Sequence, residues 1–297
     1  GYVLDIWFQL VPGKWIVDSD LASDMILANI LNKEHSFFSY SWYYSTEIKA
    51  VGLHWFYKLG LLIFPNDWHL ARVFGMVIAL LLYSVAVLLL TRCMGLGKIG
   101  VWMAGALLWP FGRRYLVYAI YGGYYLVYTF FYILVLYFMF KSVEKSGKAR
   151  IKWCALACIV SLAACLNGVK QLMVFQAPLI LAVMILLLLA LSDSKKTDWR
   201  SALQACDTEV WLTIEVVATT FAGLVGYIID TKVLAAHYAF KSFSGVTWNR
   251  FGMDWTLDRA LMDFFHEFGY QDGVGVFHFS GIASGVGLLI GAWVFFC

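Results

Sequence analysis

The chain has 297 residues, of which 62% are apolar and only 14% charged, with a mean hydropathy of +0.74 and a formal net charge of +3. A soluble globule is about half apolar and about a quarter charged, so this balance excludes an ordinary water-soluble domain. The small charge excess gives no reason to expect a nucleic-acid partner, and the recurring apolar runs of about twenty residues predict a polytopic membrane protein.

These runs are continuous rather than alternating, so the spans are predicted as helices and the fold class as all-α. Tyr2 to Val11 is a short apolar run closed by Pro12-Gly13. It is too short to cross a bilayer by itself and reads as the tail of a first span. With Gly at position 1 and the last apolar run stopping at Cys297, the chain is expected to be a piece cut at both ends. Residues 1–297 are read as a single transmembrane domain in which 12–69 and 230–273 are outer loops.

The segment from Pro12 to Arg72 is acidic, aromatic and polar, with Asp18, Asp20, Asp24, Glu34, Glu47 and Asp67. Ser19 or Asp20 can cap a helix running to about Asn32. Leu21, Met25, Ala28 and Leu31 form one apolar stripe, widened by Ile26 and Ile30. After the aromatic run FFSYSWYYS, Ile48 to Phe64 reads as a second helix carrying Lys49, His54 and Lys58. Both helices are predicted to lie in the membrane interface, with Trp and Tyr at headgroup depth.

Leu70 to Leu90 is a full span with Arg72 at its mouth. Ile99 to Phe111 is a short span ended near Pro110, Gly112 to Arg114 turn the chain, and Leu116 to Phe140 return it. A basic loop with Lys141, Lys145, Lys148, Arg150 and Lys152 leads to a short span from Trp153 to Leu166, broken at Asn167-Gly168. Gln171 to Leu191 follows, kinked at Pro178. Val210 to Ile229 and Val274 to Phe296 complete the set. Strict alternation gathers 92–98, 141–152 and 192–208, with their Lys and Arg residues, on the cytoplasmic side. The two long loops then share the outer side with the turns at 112–115 and 167–170.

The six cysteines lie mostly in or beside apolar runs and read as small buried hydrophobes. Cys154 and Cys158 share a helix face but have no partner ligands for a metal. GLGKIG and GVGLLIGAW lack the spacing of a phosphate loop, and His266-Glu267 lacks the second histidine of a zincin.

Asp20 and Asp24 are four apart and fall on one side of a helix, where like charges need water, a cation or hydrogen-bond donors. One reading is a helix cap and a solvated face. The other is chemistry at the membrane surface, where a lipid-linked substrate presents its phosphate. Glu47, in YYSTE, is open to the same two readings, since Ser45 or Thr46 can cap the following helix. A carboxylate beside an acceptor hydroxyl can act as general base, while a departing lipid phosphate needs cationic contacts. Arg72, Arg113, Arg114, Lys170 and Arg250 all fall on the outer side. Lys170 lies in CLNGVKQL, a polar break between apolar runs, where snorkelling to headgroups is the alternative role. Two carboxylates four apart are a weak divalent-cation signal, so no cofactor is expected. Glu215, in WLTIEVVATT, is an intramembrane acid and supports a different function, a transporter or flippase for a lipid-linked or small polar substrate.

With its acidic outer loop, interfacial helices and uneven spans, the chain resembles the membrane glycosyltransferases of the GT-C superfamily. The resemblance is to the bacterial protein-mannosyltransferase and aminoarabinose-transferase-like branch. SDLASDM stands where that branch carries an acidic residue after its first span, which matches Asp20 best and Asp24 next. WYYSTE supplies a second loop acid, Glu47, and NGVKQ stands where a basic residue approaches the lipid phosphate. Leu21 follows Asp20 where the commonest form has Glu. The resemblance implies a GT-C-like helical bundle with a large outer first loop. It further implies a polyprenyl-phosphate sugar donor, an unknown glycan, lipid or protein acceptor, and a bacterial plasma-membrane location. The site it implies has Asp20, Asp24 and Glu47 in catalysis, and Lys170, Arg72, Tyr44 and Arg250 on substrate.

Overall fold

A computed structural model describes residues 2–11, 19–44, 48, 50–108, 123, 125–193, 206–239, 277–278, 282, 285–286 and 289. In lipid the backbone must satisfy its own hydrogen bonds, and these sequences do so as helices. The chain is an all-α, multi-pass helical membrane protein. Among the described residues four helices are long and apolar enough to cross a bilayer, Trp68–Cys93, Leu126–Val143, Leu172–Ser192 and Asp207–His237.

The chain divides into two compact units, one of 1–17, 105–125 and 243–297, the other of 18–104 and 126–242. In the first, α1 (Tyr2–Leu10) buries Gln9 and exposes Val3 and Trp7. Helix α5 (Gly97–Leu107) runs across the division. Its start lies close on the preceding helix, because a Cβ at Gly100 would come within 2.2 Å of the Thr91 hydroxyl oxygen.

The second unit opens with α2 (Ser19–Lys33). Leu21, Met25, Ala28 and Leu31 are buried as their spacing predicts, but Asp24 and Leu27 complete the face. Ile26 and Ile30 do not widen it. At 100° per residue they fall on the opposite side, and Ile26 is exposed. The helix closes in a Schellman turn, with Ser36 N–H donating to Leu31 O (3.2 Å) and His35 N–H to Asn32 O (3.3 Å), His35 standing at φ 50°.

The second helix of this segment, α3 (His54–Ile63), starts later than the expected Ile48. Val51 donates its N–H to Asn167 Oδ1 (3.0 Å) and accepts from Asn167 Nδ2. Bonds to a side chain 116 residues away take the groups a helical turn would need. Helix α3 buries His54, Tyr57, Gly60 and Leu61 and packs between α2 and α4 (Trp68–Cys93). Small residues set that approach: a Cβ at Gly60 would meet Ala71 O at 2.0 Å, and one at Gly75 would meet Tyr57 Cδ1 at 2.9 Å. Asp67 caps α4, accepting from Leu70 N at 2.9 Å.

The remaining helices of this unit are α6 (Leu126–Val143), α7 (Gly147–Cys165), α8 (Ala177–Asp193) and α9 (Asp207–Ile228). Val135, Met139, Ala157, Val183 and Val216 form a core shared by all four. Helix α7 begins at Gly147 (φ 57°), inside the basic loop, so 147–152 is helical rather than irregular. Before α8 the backbone widens into a π turn, Leu172–Gln176. Pro178 has no N–H for the Val174 carbonyl, and the wider turn precedes it directly. Past α9 a second π turn, Ile229–Leu234, and α10 (Ala235–His237) carry the helix into what the sequence read as loop. Asp230, expected in an outer loop, is buried.

Successive helix ends alternate between the two ends of this unit. One end holds Asn167, Tyr44 and Ala239, with Tyr44 N–H donating to Ala239 O (2.8 Å). The other holds Lys141 with Glu144 (2.7 Å) and Arg150 with Asp207 (3.3 Å).

Candidate functional site

Two fastenings hold the segment that carries α2 and α3 to one end of the bundle. The Asn167–Val51 pair is the first. The second is the Tyr44–Ala239 backbone bond, reinforced where Leu27, Leu31, Tyr44 and Ile48 pack with Phe38, Trp42, Leu234 and Tyr238. Tyr40 stacks on Tyr238 at 4.7 Å between ring centroids. Phe37, Tyr40, Tyr43 and Trp68 stay exposed, a distribution that suits headgroup depth.

Of the acids, Asp20 lies exposed in the first turn of α2, where its charge complements the helix dipole. Asp24, one turn on, is 8% exposed. Buried polar residues also come from α3, as His54 and Tyr57, and from α4, as Arg72 at 2% exposed. The packing order α2–α3–α4 therefore gathers Asp24, His54, Tyr57 and Arg72 on three neighbouring helices. Glu47 and Arg250, along with Arg113 and Arg114, lie outside the described residues.

Lys170 is exposed, with Nζ 5.6 Å from the centre of the Tyr128 ring, while Tyr128 OH donates to Asn167 O (3.4 Å). Lys170 thus stands on the break that fastens the loop. Tyr44 is buried, and its phenol oxygen accepts from Ser39 N–H (3.1 Å). Burial raises its pKa, so it stays a neutral phenol.

Glu34 organises the turn between the two loop helices. Its carboxylate accepts from the hydroxyls of Ser41, Ser39 and Ser36. These bonds, that from Ser41 foremost, hold its pKa below the usual carboxylate range. Lys58 donates to Ser36 O (2.9 Å) and lies 5.0 Å from the centre of the Trp55 ring. Partial burial lowers its pKa.

In the sequence reading His54 lies on α3 without a role in the site, and Tyr57 is not singled out. Their spacing of three, continued by Gly60 and Leu61, was a signal that one face of α3 is buried while carrying polar groups. Among the described residues no group of three or more His, Cys, Asp or Glu is placed to hold a metal ion. Compared with protein-family models, with curated proteins and with solved structures, the chain matches none.

Proposed function

We propose that the chain is a glycosyltransferase of the GT-C type, moving a sugar from a polyprenyl-phosphate donor to an acceptor at the outer face of a bacterial plasma membrane. The observation that carries this reading is the fastening of the acidic loop to the Lys170 break through Asn167 and Val51. It ties the segment that carries α2, with Asp20 exposed and Asp24 buried, to the end of the bundle where Lys170 is exposed. On this reading Asp20 takes the acceptor proton as the hydroxyl attacks the sugar, with Asp24 and Glu47 as supporting acids. Lys170, Arg72 and Arg250 receive the phosphate charge, Lys170 by charge-assisted bonds to its oxygens. Tyr44 shapes the substrate side of the loop; its phenol is already engaged with Ser39.

The test is a transfer assay on the full-length protein in membranes, with a panel of polyprenyl-phosphate sugars. Asp20 stands inside the first turn of α2 rather than at its cap; Asp20→Asn keeps the side-chain shape and removes the base, so a loss of about 100- to 10,000-fold is expected. Because Asp20 is exposed, that substitution leaves the fold intact. A normally inserted Asp20→Asn protein transferring at the unmodified rate would overturn the assignment of the base. No transfer from any lipid-phosphate sugar would overturn the enzyme reading. A second reading, a transporter or flippase, is favoured by one observation, the fully buried acid Glu215 within a span. Flux abolished by Glu215→Gln, with no transfer detected, would select it.

A further inference from the structure

Helices α7 and α9 face each other along two polar stripes. On α7 the stripe reads Arg150, Cys154, Cys158 and Ser161; on α9 it reads Asp207, Trp211, Glu215 and Thr219, each one turn from the next. At the basic end Arg150 pairs with Asp207 (3.3 Å) and lies 4.5 Å from the centre of the Trp211 ring. The Trp211 indole N–H donates to Ser142 Oγ (2.9 Å), and Ser142 donates its hydroxyl to Glu215 Oε2 (2.5 Å). Deeper in the bundle Ser161 donates to Thr219 O (2.8 Å) and accepts from Gln176 Nε2 (2.9 Å).

Within this ladder Glu215 is 0% exposed, and its second oxygen, Oε1, is buried with no hydrogen-bond partner. Eight residues, about 12 Å of helix, separate it from Asp207. The direction of the hydrogen bonds fixes what this site can hold. Ser142 accepts from Trp211, so its single hydrogen goes to Glu215, whose Oε2 acts as acceptor. Oε1 is left without a hydrogen-bond donor, and the nearest cation, Arg150, is already paired with Asp207. An anion held by one hydroxyl in a lipid-embedded bundle is strongly disfavoured, whereas a neutral acid with Oε2 as its carbonyl oxygen and a hydrogen on Oε1 fits the same contacts.

We propose that Glu215 and Ser142 form an intramembrane proton-binding site that exchanges with water at the basic end of the bundle. The exchange is a plain proton transfer: a proton from that water forms an O–H bond at Oε1, the side chain passes from −1 to neutral, and release reverses both. The charged and titratable groups that act on it are Arg150, Cys154 and Cys158 from α7; on its own helix Asp207 lies about two turns back, paired with Arg150, and Glu209 is turned away round the helix. From α6 come Ser142 and the paired Lys141 and Glu144, while α8 brings the apolar Val183. The Arg150–Asp207 pair, with Asp207 exposed and Arg150 partly buried, stands at the basic end of these two helices. The site rests on neither functional reading above.

Infrared difference spectroscopy of the full chain in lipid nanodiscs, stepped between alkaline and acidic buffer, tests this. A protonated carboxylic carbonyl band is expected on acidification. It should shift with isotope-labelled glutamate and vanish in Glu215→Gln. In Ser142→Ala, which keeps the acid, it should move to higher frequency because the carbonyl loses its donor. Asp20→Asn, at the far end, should leave it unchanged. The proposal is overturned by absence of the band in the unmodified chain, by its persistence in Glu215→Gln, or by its loss when sodium is added at fixed pH. That last result would assign the site to a metal cation. If Glu215→Gln fails to fold, the isotope shift with the Ser142→Ala displacement decides; a band unmoved by either refutes the site.

Discussion

Asn167 is the residue on which the segment before α3 depends most directly. Its side-chain amide replaces a peptide partner for both polar groups of Val51. Asn167→Leu would remove both bonds and leave the Val51 groups unsatisfied, at a cost of about 2–4 kcal/mol. Thermal unfolding in detergent and protease cleavage within 50–53 measure this, and Asn167→Asp, which keeps the acceptor, should fall between. Glu34 makes a pH-dependent contribution at the neighbouring turn. Its folded pKa is depressed, so its stabilisation is complete above the ordinary glutamate value and is lost as pH falls through the folded one. Amide exchange at Ser39 and Ser41 should therefore be faster in Glu34→Gln than in the unmodified chain at neutral pH, and the two should converge in acid. Equal rates at neutral pH would show that the three serine contacts do not hold the turn.

At the scale of elements, close helix approach governs, and it is set by glycine. Lipid tails are as apolar as the helices, so packing rather than escape from water holds spans together. A Cβ at Gly226 would lie 2.3 Å from Leu162 O, which is backbone and cannot swing aside. Gly226→Ala must part α7 from α9 and should cost about 1–3 kcal/mol of stability. Gly105→Ala is the control, since a Cβ there meets nothing within 4 Å. Melting temperatures of the two variants in one detergent check the contrast. The helical class, the span through Arg72 and the polar break at Asn167 were legible in the sequence because lipid-length apolar runs and their interruptions leave a direct mark. The start of α3 was not, because a side chain distant in sequence overrides the local helical pattern at Val51. The extension of α9 was missed because Asp230 reads as a loop residue until burial shows otherwise. For the candidate site, spacing put Asp20 and Asp24 on one side of α2. It could not separate them into one exposed and one buried acid, since that depends on where α3 lies.

For the whole molecule, orientation decides which end of the bundle can meet a lipid-linked donor. The observed ends sort the chain without reference to charge: Asn167 meets Val51 and Tyr44 meets Ala239 at one end, while Lys141, Ser146, Arg150 and Asp207 lie at the other. Charge then gives the direction. Lys145 in the connection, Lys141 in the last turn of α6 and Lys148, Arg150 and Lys152 in the first turns of α7 gather at one junction, and junctions rich in Lys and Arg tend to stay in the cytoplasm. By that rule the Asn167 end is expected outside and the Arg150 end inside. A membrane-impermeant thiol reagent added to sealed cells should label a cysteine placed at Asn66, which is exposed in the turn before α4, and should leave one at Ser146 unlabelled until the membrane is opened. The unmodified chain supplies the background to subtract; among the described cysteines Cys165 and Cys206 are buried and Cys93, Cys154 and Cys158 only partly accessible, and Cys297→Ser is carried in all variants. Labelling of Ser146→Cys from outside, with Asn66→Cys silent, would turn the bundle over. Asp20 and Lys170 would then face the cytoplasm, and the transfer reaction would have to run there.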